Sequence, residues 1–131
     1  MNFLITGGAG FLGRALAIEL AKNKKNKVYI IDKVKFNFYK KNIFFIKSDL
    51  KKKIFKKNNF SYIFHMAAEL GVKNVINNSI YTLDTNYITT KNIINFAKKN
   101  KNLKRIFFFS TSEVYSNLNK KKLMNENDKL L

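Results

Sequence analysis

The stretch ITGGAGFLG, residues 5–13, constrains the fold of this chain more than any other. It follows a short apolar run, NFLIT at 2–6, and leads into an amphipathic one, GFLGRALAIELAKN at 10–23. Gly8, Gly10 and Gly13 stand in the spacing G-x-G-x-x-G, and Gly7, Gly10 and Gly13 in G-x-x-G-x-x-G. The spacing alone is weak evidence, but between a strand and a helix it gains a physical meaning. A tight turn needs glycine, close approach of backbone to a pyrophosphate forbids a side chain, and a helix N-terminus offers free N–H groups to the anion. Asp32 ends the next apolar run, 19 residues after Gly13. An acid there accepts hydrogen bonds from adenosine ribose hydroxyls and repels a 2′-phosphate. Turn and acid together predict a dinucleotide site that favours NAD over NADP, a preference that Lys33 next door weakens. A structural glycine turn without a ligand is the alternative.

The rest of the chain repeats the alternation of short buried runs and longer amphipathic ones. KVYIID (27–32), NIFFIKSD (42–49), FSYIFHMAA (60–68) and LKRIFFFS (103–110) read as four further strands. Residues 79–99 read as a long helix with its N-cap at Asn78 or Ser79. The first helix carries Leu12, Leu16 and Leu20 on one face. Continuous apolar strands separated by helices predict a parallel sheet covered on both faces, the doubly wound α/β fold of Rossmann type. Residues 1–131 amount to one domain. No internal repeat is visible, and the tail from 116 onward reads as loop.

Composition excludes several classes. No apolar run approaches the roughly 18–20 residues that span a membrane, and no cysteine exists for a disulfide or a Cys-based metal site. A first strand directly after Met1 leaves no room for a signal peptide, so a soluble, cytoplasmic protein is expected. The net charge of +18 suggests a nucleic-acid partner. A duller account competes with it. Arg occurs only at positions 14 and 105 and Pro not at all, where average usage predicts about six Pro. Lys, Asn, Ile, Phe and Tyr have AT-rich codons, so base composition explains much of the lysine excess. The lysines also cluster in turns and helix ends, where solvated charge belongs. Nucleic-acid binding stays the minor reading.

Several motifs in one order resemble the extended short-chain dehydrogenases, the NAD-dependent epimerase/dehydratase family that acts on nucleotide sugars. TGGAGFLG resembles its cofactor turn, which brings Phe11 and Leu12 into the cofactor site beside Gly7, Gly10 and Gly13. Asp32 resembles the ribose-binding acid, and SDL at 48–50 the segment whose Asp, here Asp49, contacts adenine beside Leu50. HMAA at 65–68 is similar to the step that closes the fourth strand, where Ala67 and Ala68 let the cofactor lie against backbone. NYITTKN at 86–92 is similar to N-x-x-G-T-x-N, with Asn86 matching and Thr89 in place of Gly. Asn86 either ties its helix to a neighbouring strand or serves proton transfer. His65 and Tyr115 read as structural residues.

STSEVY at 110–115 resembles the active-site strand end, with Ser110 beside the cofactor and Thr111, Ser112 and Glu113 as catalytic residues. The resemblance implies that Thr111 hydrogen-bonds a sugar C4 oxygen while a Tyr, its pKa lowered by a Lys four residues on, removes the proton. Glu113 leans the likeness from plain epimerases toward decarboxylases and dehydratases, nearest the UDP-glucuronate decarboxylase type; GVKNV at 71–75 leans the same way. No Tyr-x-x-x-Lys follows Thr111. The matches at Tyr29–Lys33 and Tyr87–Lys91 fall on a strand and on a helix that precede the active-site strand. The expectation is an N-terminal, NAD-binding part of such an enzyme, inactive alone, with the tyrosine, the lysine and the substrate domain supplied from a downstream segment or second chain. A non-catalytic NAD-binding module is the alternative. The resemblance implies a homodimer for the complete enzyme, and no metal.

Overall fold

The structure, a computed structural model, describes residues 1–52, 59–69, 71, 76–111, 114–115, 125 and 127. Its elements run β1 (Asn2–Thr6), α1 (Phe11–Leu20), β2 (Lys27–Asp32), β3 (Ile43–Lys47), β4 (Tyr62–His65), α2 (Ser79–Lys98) and β5 (Arg105–Phe108). All strand pairs are parallel, in the order β3-β2-β1-β4-β5. Ile5 at the sheet centre is flanked by Ile30 and Phe64.

Alternation along the central strands sends successive side chains into two separate cores. Leu4, Tyr29, Ile31 and Ile63 pack on one face with Leu50, Phe60, and Ile93 and Ala97 of α2. Phe3, Ile5, Val28, Ile30 and Ile43 pack on the other with Ala17 of α1 and Ala21 just beyond it. A sheet buried on both faces needs apolar residues at every position, which is why these strands read as unbroken runs. The doubly wound arrangement is thus present.

One expectation about α1 needs correcting. Leu12 does not join Leu16 and Leu20 against the sheet: it is 59% exposed, and the buried residues of α1 are Gly13 and Ala17. Leu16 and Leu20 only flank that contact. The cause is steric. A Cβ on Gly13 would lie 2.4 Å from the Gly7 carbonyl oxygen and 2.6 Å from the Gly8 Cα, so the helix crosses the turn on its smallest residues. Periodicity identifies a stripe of leucines but carries no information about such an approach.

β1 and β2 coincide with their predicted runs, whereas β3, β4 and β5 are shorter than theirs. Past His65 the Met66 N–H reaches both the carbonyl and the hydroxyl of Thr6 at 3.2 Å, and the Ala67 N–H reaches the hydroxyl alone at 3.2 Å. Around α2, asparagine side chains fasten the loops. Asn100, buried, donates to the Phe60 carbonyl at 2.9 Å and accepts from its N–H at 3.3 Å. Asn92 donates to the Leu50 carbonyl at 2.8 Å. Asn78 is the N-cap of α2, without a side-chain cap bond. Thr89, at the position where the resemblance implies Gly, is buried, and its hydroxyl donates to the Asn86 carbonyl at 3.2 Å.

Thr6 and His65 face each other across the β1–β4 seam, Oγ1 to Nδ1 at 2.7 Å. Nε2 faces the Thr90 hydroxyl at 3.2 Å, so in the neutral ring one nitrogen donates to a threonine hydroxyl and the other accepts from one. Burial holds the His65 pKa below its ordinary 6.5, consistent with a neutral ring.

Two outcomes follow. Gly13→Ala is expected to cost about 1–3 kcal/mol of unfolding free energy in urea titrations, the range for overpacking a tight contact; an unchanged midpoint would mean that the turn widens freely. His65 is the chain's one histidine, so the pH dependence of stability between neutrality and the carboxylate range reports on it. With the folded pKa depressed, the unfolded chain binds more protons, so stability falls as pH drops through 6.5 and levels off below the folded value. A His65→Gln variant should show a flatter profile there.

Candidate cofactor and active site

The order of the strands reverses at β1: β2 and β3 lie to one side, β4 and β5 to the other. In an open parallel sheet the loops at such a point diverge and leave a crevice beyond the strand ends. The glycine turn runs along it. Gly7 takes the left-handed conformation, φ 70°, and a Cβ there would stand 2.8 Å from both Cα and N of Ala67. Its N–H donates to the Ile31 carbonyl at 2.9 Å, and its carbonyl accepts from Gly10 at 3.1 Å. Gly10 is the N-cap of α1, which has no side-chain cap and no acidic residue in its first turn. The positive end of this helix is therefore open to an anion.

Asp32 is held from two directions. One carboxylate oxygen accepts from the Ala9 N–H at 3.0 Å and the other from the Val34 N–H at 2.9 Å. A carboxylate fixed this way keeps further lone pairs for a ribose diol and pays little entropy on binding. Around it opens a cleft of about 250 Å³, lined among others by Gly7, Gly10, Asp32, Lys33, Asp49, Leu50, Lys51, Ala67, Ala68 and Glu69. The donor-rich helix end, the pinned acid and the side-chain-poor step at Ala67–Ala68 fit a dinucleotide. Although the chain is strongly basic, this cleft carries three carboxylates against two ammonium groups.

A second cleft of about 560 Å³ lies between the ends of β4 and β5 and α2, and shares Ala67, Ala68 and Glu69 with the first as a common wall. Asn86, Ser110 and Thr111 line it, with Phe108 and Phe109, 60% and 43% exposed, as its apolar side. The carbonyl of Thr111 accepts from the Val114 N–H at 3.5 Å. Ser112 and Glu113 lie outside the described residues, as do positions 72–75 of GVKNV.

The predicted cofactor residues thus divide. Gly7, Gly10, Asp32, Asp49, Leu50, Ala67 and Ala68 meet in the first cleft, and Asn86 and Ser110 stand in the second. Gly13 is buried behind the turn, and Phe11 and Leu12, 82% and 59% exposed, line neither cleft. The Asn86 amide accepts the Glu69 N–H at 2.7 Å and donates to its carbonyl at 3.2 Å, so it ties α2 to the segment after β4. Both His65 ring nitrogens are engaged and the ring is buried, which suits a structural role. Tyr29 is buried in the core; Tyr87 is 61% exposed on α2 with Lys91 5.8 Å from its ring, and neither tyrosine lines a cleft.

Sequence reasoning missed two wall-forming contacts. Lys33 Nζ pairs with a Glu69 carboxylate oxygen at 2.9 Å. The hydrogen bond and charge of Glu69 raise the Lys33 pKa against the opposing effect of burial. Lys51 Nζ sits 4.4 Å above the Tyr81 ring and 3.4 Å from the Thr85 hydroxyl. Both pairings join residues far apart in the chain, and no local pattern signals them. Among the described residues no cluster could hold a metal ion, and no helix is long and apolar enough to cross a membrane.

Comparison with known proteins agrees with this geometry. A UDP-N-acetyl-alpha-D-glucosaminuronate decarboxylase of Bacillus cytotoxicus is 43% identical over 125 residues, which span 86% of this chain and 37% of that protein. A dTDP-D-glucose 4,6-dehydratase of Dictyostelium discoideum is 36% identical over 131 residues, 87% of this chain and 30% of its own. The chain thus spans about a third of the length of these curated relatives. Among solved structures, UDP-glucose 4-epimerase from Bifidobacterium longum, in complex with NAD+ and UDP, superposes with a TM-score of 0.82 at 26% identity, over 99% of this chain and 42% of that one. The model of the NAD dependent epimerase/dehydratase family matches residues 3–130, and the chain belongs to that family.

Proposed function

We propose that this chain is the NAD-binding, N-terminal part of a nucleotide-sugar enzyme that oxidises a sugar C4 hydroxyl, on a decarboxylase or dehydratase route. The observation that carries the reading is the convergence of Gly7, Gly10, Asp32, Asp49 and Ala67 on one cleft at the point where the strand order reverses. Relatives of 43% and 36% identity named as a decarboxylase and a 4,6-dehydratase support the choice of route.

Within this reading each residue has a task set by its place. The open N-terminus of α1 takes the pyrophosphate, and Asp32 takes the adenosine ribose hydroxyls. Asp49 and Leu50 border the adenine. Ala67 and Ala68, the wall between the two clefts, let the cofactor pass along backbone toward Ser110. When bound, NAD supplies the hydride acceptor for C4. The Thr111 hydroxyl hydrogen-bonds the C4 oxygen and orients it for loss of its proton, and Ser112 and Glu113 serve the subsequent step on the 4-keto sugar. No Tyr-x-x-x-Lys follows Thr111 within these 131 residues, and the reading assigns the acceptor of the C4 proton to a downstream segment or second chain.

NAD+ is expected to raise the melting temperature of the 131-residue chain, and Asp32→Asn to weaken NAD+ binding by about ten-fold or more through loss of a charged acceptor at the ribose. Absence of any NAD+-dependent shift would remove the basis of the reading. The same purified chain should show no turnover of UDP-sugars, followed by NADH absorbance and product chromatography.

A further inference from the structure

We infer that Glu69 is a specificity-determining positioning residue: by holding the Lys33 ammonium it denies a cation to the 2′-phosphate and so sharpens the preference for NAD over NADP. The inference rests on the NAD-binding reading and deepens it.

Asp32 repels a phosphate, but a lysine directly after it works the opposite way. A 2′-phosphate carries up to two negative charges and is accepted where a nearby ammonium or guanidinium can meet it. Two cations, Lys33 and Lys51, line the cleft with Asp32, and each is engaged. Arg14, which is not in that lining, stacks 4.7 Å from the Phe36 ring centroid with its Nε 3.4 Å from the Gly10 carbonyl. Lys51 lies over Tyr81. Lys33 alone pairs with a carboxylate, that of Glu69 at 2.9 Å. Glu69 is fixed in turn, because the Asn86 amide holds its backbone N–H and carbonyl at 2.7 and 3.2 Å. Its side chain is 20% exposed against 62% for Lys33, so the acid is the anchored partner and the lysine the tethered one.

An exposed pair of this kind adds little to stability. Its weight falls on selectivity instead, since a 2′-phosphate would have to win Lys33 from Glu69 while facing Asp32 and Asp49 in the same cleft. NAD, with a neutral hydroxyl at that position, meets no such competition.

The test compares NAD+ and NADP+ binding to the full 131-residue chain and to Glu69→Gln, Lys33→Ala and the double variant, by calorimetry at fixed ionic strength. Glu69→Gln is expected to tighten NADP+ by about three- to ten-fold and to leave NAD+ within about two-fold, the scale of releasing one competing charge pair. The gain should be smaller in the Lys33→Ala background, because only the freed ammonium, and not the loss of the Glu69 charge, depends on Lys33. An unchanged NADP+/NAD+ ratio in Glu69→Gln, or a gain of the same size without Lys33, overturns the inference. So does an unaltered chain that binds NADP+ as tightly as NAD+, a result that needs no variant. If the unaltered chain binds neither nucleotide, the NAD-binding reading falls and takes this inference with it. Normal NAD+ binding with an unchanged ratio removes the inference alone.

Discussion

The close packing of the glycine turn against the end of β4 and the start of α1 is the constraint on which the rest of this structure depends. Gly7 touches Ala67 at a distance that leaves no room for a Cβ, and Gly13 stands closer still to Gly7. Because these contacts are backbone to backbone, α1 begins just beyond the end of the central strand β1, with Gly10 at its start lining the crevice. Larger residues at either position would lift the helix away from the sheet. The crevice would then lose its positive end and the wall at Ala67, so fold and site here share one steric requirement.

The opposite wall depends on hydrogen bonds from α2. Asn86, Asn92 and Asn100 reach from this helix or its end to three separate loops, those after β4, after β3 and before β4. Each satisfies backbone groups that no strand partner can reach, and unmade bonds of that kind cost about 1–3 kcal/mol when buried. A chain without proline has few ways to stiffen its loops covalently. Asparagine, with a donor and an acceptor on one short side chain, holds these loops by bonding instead.

Charge is distributed against the average. The chain carries +18, yet the cleft proposed for the cofactor holds Asp32, Asp49 and Glu69, and its two lysines are committed to Glu69 and to Tyr81. An overall count of lysines therefore says little about the sign of the field at the cleft, because three of the eight acids line it against two lysines. Among the described residues, the lysines at 22–27 and 98–104 are exposed.

The sequence by itself determined the order and kind of the elements, the parallel sheet, the glycine turn and the acid at the end of β2. These follow from local chemistry: side-chain alternation, uninterrupted apolar runs, and a turn that only glycine can make. The family likeness was legible for the same reason, since its motifs are short and sit at strand ends. Tertiary structure alone decided which face of α1 meets the sheet, because a 2.4 Å clearance at Gly13 outweighs a stripe of leucines. It also decided where β4 stops and which residues share a cleft. The pairing of Lys33 with Glu69, 36 positions apart, arises only when the ends of β2 and β4 are brought to the same edge of one sheet. Such contacts depend on three-dimensional distance, which no spacing along the chain encodes.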